Sequence, residues 1–156
     1  RYAMDPSFEI LLIAWSTDTG AGFGEAQCAD LASGDPFPEE LLEAFQSGRV
    51  RLIAHNASFE RVCFSIHLQK NWLGQYLAPG EFLSPDSWIC MMVMAGSLAL
   101  PLALEDVGVV LKTAQRKDKE GERLIKLFSM PCKPTKSNGM RTRNLPEHYP
   151  EEWAKF

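Results

Sequence analysis

The sequence lacks any apolar run long enough to cross a bilayer. Its longest, Ile10–Trp15 and Ile89–Ala95, fall far short of the roughly 20 residues a transmembrane helix needs, so no membrane partner is expected. It also lacks metal-binding cysteine spacing: Cys28, Cys63, Cys90 and Cys132 form no CxxC pair and no Cys/His zinc pattern. They are expected as buried or inert thiols in a reducing compartment. Arg1-Tyr2-Ala3 is followed by Asp5 and Pro6 rather than by the apolar core of a signal peptide. There is no internal repeat and no low-complexity tract. The first residue is not Met, and Trp153-Ala154-Lys155-Phe156 carries no closing signal, so the chain is expected to be a fragment of a longer protein.

Positive charge is scarce over most of the chain. Residues 1–111 hold 5 Lys/Arg against 14 Asp/Glu, whereas residues 112–143 hold 10 against 3. A basic stretch inside a chain of net charge −4 suits a polyanion such as DNA, and equally a solvated helix face followed by a polar loop. The length of 156 residues, with 46% hydrophobic and 23% charged residues, fits one globular domain with a real core.

Phe8–Thr17 reads as a strand buried on both faces. Asp18–Gly22 turns it, and Gly24–Leu31 returns as an antiparallel strand. Pro38 takes a first helical position, Glu39 and Glu40 favour the helix dipole, and Leu41, Leu42 and Phe45 face inward until Ser47-Gly48. Val50–Ala54 is the next strand. Asn56 then caps a helix from about Ala57 to Leu68 whose inward positions are Phe59, Val62, Cys63 and Ile66. Further helices are expected over Asp86–Leu98, Leu102–Lys112 (Leu104, Val107 and Leu111 on one side) and Asp118–Phe128 (Leu124, Ile125 and Phe128 inward). Residues 129–146 hold three prolines and a glycine and form a basic loop. The class is α/β: a short mixed sheet of three strands with flanking helices and a helical C-terminal half.

The most informative stretch is Leu52-Ile53-Ala54-His55-Asn56-Ala57-Ser58-Phe59-Glu60-Arg61. An apolar run ends in His-Asn, and an acid follows in the first turn of the next helix. In open α/β sheets ligands and metals collect at the carboxyl edge of the strands. A carboxylate at position 60 suits Mg²⁺ or Mn²⁺, and equally a helix dipole, a contribution of about 0.3–1 kcal/mol. Asn56 fits a helix cap and a hydrogen bond to a substrate sugar or phosphate. His55 fits a catalytic base or a buried residue closing the strand. Arg61 fits a phosphate contact or a pair with a nearby acid. Lys133, Lys136, Arg141 and Arg143, interleaved with hydroxyl and amide residues, fit phosphate oxygens or a solvated connector.

Three segments together resemble the 3′–5′ exonuclease (proofreading) region of phage-type family A DNA polymerases. They are Ala54–Arg61, Trp88–Met91 with Leu104–Gly108, and the tail containing Lys119-Glu120-Gly121, Leu124-Ile125, Phe128-Ser129, Pro131–Lys136 and Arg141–Asn144. The resemblance implies a ribonuclease H-like (DnaQ-like exonuclease) fold and two-metal hydrolysis of terminal phosphodiesters with Mg²⁺ or Mn²⁺. It implies a single-stranded DNA 3′ end as partner, a polymerase domain of the same polypeptide downstream, and the cytoplasm of a bacterial host as setting. On that pattern Glu60 is the metal ligand and catalytic acid, where many relatives of the fold carry Asp. Asn56, Arg61, Lys133, Lys136, Arg141 and Arg143 bind substrate.

The pattern requires a first-strand Asp-x-Glu pair and a late Tyr-x-x-x-Asp motif. No such Asp-x-Glu pair occurs at the start of this chain, and no Tyr-x-x-x-Asp occurs in it. They are expected upstream of Arg1 and downstream of Phe156, so residues 1–156 read as one partial exonuclease domain, inactive alone. Two alternatives share the fold: a non-catalytic nucleic-acid-binding or scaffolding module, and a 3′–5′ exoribonuclease.

Overall fold

A computed structural model describes residues 2–72, 75–114 and 118–156. The chain divides into two compact units, 1–112 and 113–156.

In the first unit, Leu12–Trp15 (β1) pairs antiparallel with Gln27–Asp30 (β2), Leu12 opposite Asp30 and Trp15 opposite Gln27. Both strands are shorter than the sequence pattern suggests. Phe8 leaves the first because its ring is claimed elsewhere, edge-on to Tyr2 at 5.6 Å and 5.5 Å from the Lys70 ammonium. Lys70 Nζ also donates to the carbonyls of Asp5 and Phe8. Glu39–Ser47 (α1) follows Pro38, carries Glu39 and Glu40 in its first turn and stops at Gly48. The φ of +59° there favours a residue without Cβ.

Leu52–Ala54 (β3) pairs parallel with Trp88–Cys90 (β4), Ala54 opposite Cys90. The helix expected over Asp86–Leu98 is therefore three elements. A single turn, Pro85–Ser87, is capped by Ser84 Oγ accepting from the Asp86 N–H. Then come β4 and Met91–Ser97 (α3). A three-residue strand inside an apolar run has no local signature; its partner lies 36 residues back. Leu104–Val110 (α4) is shorter than the expected 102–112 and buries none of its residues. Among the described residues the four strands form two separate pairs, one antiparallel and one parallel.

Ala57–Asn71 (α2) is the backbone of this unit and runs three residues past the expected end. Cys63 and Ile66 are buried with Ala3, and Phe8 and Val62 pack against them. Phe59, expected inside, is 49% exposed and lies 5.8 Å from the Tyr2 ring. Ser65 is wholly buried. Its hydroxyl donates to the Arg61 carbonyl at 2.6 Å and accepts from the Leu83 N–H at 3.0 Å, which fixes the loop leading to β4. An aromatic cluster joins the elements: Phe37 lies 6.4 Å from Phe45, 6.0 Å from Phe64, 5.3 Å from His67 and 5.6 Å from Trp72.

In the second unit, Lys119–Ser129 (α5) is capped by the Asp118 carboxylate, which accepts from the Glu120 and Gly121 N–H groups at 2.9 and 3.0 Å. Leu124 and Phe128 are buried as expected, but Ile125 is 50% exposed, on the flank of the stripe. Phe128 meets Trp153 at 4.8 Å and Phe156 at 5.7 Å; Pro150–Trp153 is α6. Arg123 bridges Glu120 and Glu152.

His67 gives the first unit a pH response. Asn71 Nδ2 lies 3.3 Å from His67 Nδ1, the arrangement of an amide donating to a neutral ring. Burial first, and the Lys70 charge second, push the imidazole down to about 4. An unfolded His titrates near 6.5, so the unfolded chain takes up this proton first. The stability present above about pH 6.5 is lost as pH falls toward 4. His67→Phe keeps a ring against Phe37 and removes the titration. Its melting temperature is expected to fall less than the parent's between pH 7 and pH 5, as read by thermal unfolding.

Candidate functional site

The parallel pair β3–β4 builds the candidate site at its carboxyl edge. From Ala54 the chain turns through His55 and Asn56 into α2. Asn56 occupies the N-cap position but is left-handed (φ 63°, ψ 48°) and makes no side-chain capping bond. This corrects the capping expectation: Asn stands here because it tolerates that conformation. Its side chain is exposed, within reach of a bound molecule.

The Cys90 thiol is lowered from its ordinary pKa by the nearby backbone N–H groups, that of Val93 first and then those of Ala57, Met92 and Asn56. Sequence reading grouped Cys90 with the inert cysteines. The one local hint was a Cys at the junction of an apolar run and a helix, and the pairing with Ala54 that gives it meaning is non-local.

His55 closes the strand as a half-buried residue. Its Nε2 lies 2.9 Å from the Leu102 carbonyl, so that nitrogen carries the proton and donates. Glu60 lies in the first turn of α2. Its Oε2 is buried and has no hydrogen-bond partner among the described residues. Burial raises its carboxyl pKa, opposed by its own backbone N–H and by His55. Cys63 on the next turn is pushed up to about 11, by burial first and by Glu60 second.

Among the described residues Arg61 pairs with no acid. Its Nη1 donates to the Leu83 carbonyl at 2.8 Å, and its guanidinium lies 5.9 Å from the Phe82 ring centre. It secures the same loop that Ser65 holds.

In the second unit the basic loop is internally bonded. Thr135 and Asn138 form a reciprocal pair, each side chain accepting from the other's N–H. Asn138 Nδ2 donates to the Lys133 carbonyl, and the Cys132 N–H donates to the Thr142 carbonyl at 2.7 Å. Arg141 is held inside: its Nε donates to Asn144 Oδ1 and its Nη2 to the Tyr149 hydroxyl, both at 3.1 Å, with the guanidinium 5.3 Å from the Tyr149 ring centre. Asn144 in turn donates to the Leu127 carbonyl. Arg141 thus serves the fold of the loop. Arg143 is partly buried, whereas Lys133 and Lys136 are exposed.

An exposed carboxylate at a helix start is ordinary. A half-buried one with an unbonded oxygen needs a proton or a cation. Among the described residues no group of three or more His, Cys, Asp or Glu side chains is placed to hold a metal ion. Glu60 therefore offers one hard oxygen to a divalent cation, and the set present here does not complete a site.

The described residues make an α/β protein with a half-buried carboxylate, Glu60, at the edge of a parallel strand pair in the first unit and the exposed Lys133 and Lys136 in the loop of the second. Over 155 residues the chain is 44% identical to a DNA polymerase of Bacillus phage SP02, a match covering 99% of this chain and 22% of that protein. The chain thus resembles a portion of a phage DNA polymerase along its whole length and spans about a fifth of that relative. No family model matches it, and no solved structure does. No helix among the described residues is long and apolar enough to cross a membrane.

Two substitutions test the site. Asn56→Ser keeps a good capping side chain in a residue that resists the left-handed region, and is expected to cost about 1 kcal/mol. Asn56→Gly is expected to stay within about 0.5 kcal/mol of the parent. Urea unfolding separates them, and equal stability of parent and Ser variant restores the capping role. Glu60→Gln removes a charge that burial disfavours. A raised folded pKa favours folding below the ordinary carboxylate range and loses that contribution as pH rises. The Gln variant is therefore expected to melt above the parent at pH 7, the gap closing toward pH 4.

Proposed function

We propose that this chain belongs to the 3′–5′ exonuclease region of a phage-type DNA polymerase with a ribonuclease H-like fold. In this reading it acts in the complete polypeptide on single-stranded DNA 3′ ends. The observation that carries the proposal is the unbonded, buried oxygen of Glu60 at the carboxyl edge of a parallel strand pair. The whole-length similarity to a phage DNA polymerase supports it. Two divalent cations, Mg²⁺ or Mn²⁺, supply an activated water and stabilise the leaving oxygen in such hydrolysis. This chain's share is one carboxylate oxygen, with the remaining ligands on polypeptide outside these residues.

The other residues divide by what they touch. Asn56 presents an exposed amide beside Glu60's turn and orients a sugar or phosphate. Lys133 and Lys136 follow the nucleic-acid backbone through charge, without reading bases. Arg61 and Arg141 support the surfaces from within, holding the 81–84 loop and the 141–149 segment. Glu60 is one methylene longer than the Asp of many relatives, and the left-handed Asn56 sets the helix start from which it reaches.

The test uses the complete polypeptide with 3′-labelled single-stranded DNA and Mn²⁺. Release of mononucleotides is expected, and Glu60→Gln is expected to reduce it by about 100-fold or more. Binding without release identifies a non-catalytic module, and preferential digestion of RNA identifies a ribonuclease. The pair Lys133→Ala with Lys136→Ala is expected to flatten the slope of log affinity against log salt by about 1.4, two phosphates at about 0.7 each for a single strand.

A further inference from the structure

Helix α2 meets the loop that feeds β4 along one stripe of polar side chains. Arg61, Ser65 and Gln69 are spaced four apart, so they lie one above another on the helix surface. Arg61 Nη1 donates to the Leu83 carbonyl at 2.8 Å, and the Ser65 hydroxyl accepts from the Leu83 N–H at 3.0 Å. Gln69 uses both ends of its amide: Nε2 donates to the Glu81 carbonyl, and Oε1 accepts from the Gly80 N–H at 3.3 Å. Residues 80–83 therefore run back along α2 toward its first turn, where Glu60 stands. Glu81 steadies the loop itself, its carboxylate accepting from the Ala78 N–H at 3.0 Å.

Another side of the helix is held independently. Tyr2 lies 5.8 Å from Phe59, Ala3 is buried with Cys63 and Ile66, and Lys70 donates to the carbonyls of Asp5 and Phe8. Held on two sides, α2 is not free to turn about its axis, and the direction of Glu60 is set with it. The bonds to the loop are directional and reach backbone atoms. They fix the loop's place along the helix, where apolar contacts alone would let it slide. This matters for the strands, because the three residue pairs of β3–β4 are too few to choose their own register. A slip of one residue would turn every side chain of β4 to the other face.

We propose that Arg61, Ser65 and Gln69 are positioning residues for the Glu60 carboxylate. By fixing residues 80–83 along α2 they set the register of β4 on β3 and the angle from which Glu60 meets a divalent cation. The inference rests on the reading of Glu60 as a cation ligand. Groups that orient a metal ligand without touching the ion change metal affinity or activity by about 10–100-fold when they are lost.

The test uses the complete polypeptide. Gln69→Met keeps the length of the side chain and removes both loop bonds. Position 69 lies about 13 Å along the helix from Glu60, too far to share a substrate phosphate with it. Arg61→Met is compared with Arg61→Lys, which retains a donor for the Leu83 carbonyl. Both Met variants are expected to weaken Glu60-dependent Mn²⁺ binding by about tenfold, read by the EPR signal of free Mn²⁺ and defined by its loss in Glu60→Gln. They are also expected to lower kcat for mononucleotide release with KM for DNA unchanged, and Arg61→Lys is expected to recover most of both losses. Unchanged Mn²⁺ affinity in Gln69→Met, with only a lower melting temperature, overturns the inference and leaves the stripe a stabiliser of the fold. A raised KM at unchanged kcat in Arg61→Met overturns it for Arg61, which is then a phosphate contact. Absence of any Glu60-dependent Mn²⁺ binding in the parent overturns it together with the reading of Glu60. Mn²⁺ binding needs no turnover, so weakened binding in a protein that releases no nucleotides rejects the nuclease and keeps the positioning role.

Discussion

The first unit depends on one short parallel ladder, Leu52–Ala54 against Trp88–Cys90. Three residues on each side cannot hold themselves together, because a parallel pair gains little per residue and closes a long loop. The loop is held from α2 by the buried Ser65 hydroxyl and by Arg61. Trp88 lies 6.3 Å from Phe45 and 6.4 Å from Phe64. With the ladder in place, Cys90 falls beside the turn at Asn56, and Glu60 is carried over the same edge. Without it, α1, α2 and α3 have no common reference.

One side chain at this edge is held at a cost. Glu60 carries an unbonded, buried oxygen, and unmet polar groups call for an explanation. Asn56, four residues earlier, takes the left-handed region that Asn tolerates. The unbonded oxygen separates Glu60 from the other acids in the unit. Glu39 and Glu40, for example, sit in a first turn where the dipole alone explains them.

The basic loop follows a different logic. Its backbone is closed on itself by Thr135 and Asn138, and Arg141 is spent on Asn144 and Tyr149. A net positive stretch is therefore not four equivalent cations. Arg, with a planar fork of donors, becomes structural framing, whereas the lysines, as point charges on flexible stems, stay at the surface. The charge asymmetry between residues 1–111 and 112–143 survives as a property of the loop's exposed lysines and of the outer face of α5, where Lys126 pairs with Glu122.

The sequence alone determined what is local. The turn at Asp18–Gly22, the stop at Gly48, the start of α2 after His55-Asn56, the cap at Asp118 and the inward pair Leu124 and Phe128 all follow from side-chain chemistry within a few residues. The position of Glu60 in a first turn was legible for the same reason. Tertiary structure decided the rest, because the deciding partner was far along the chain. β4 is a strand because β3 is beside it, and Phe8 leaves its strand for Tyr2 and Lys70. Arg61 bonds a carbonyl 22 residues away. Whether α4 meets a core is not written in its periodicity, since an apolar stripe does not choose the surface it packs against.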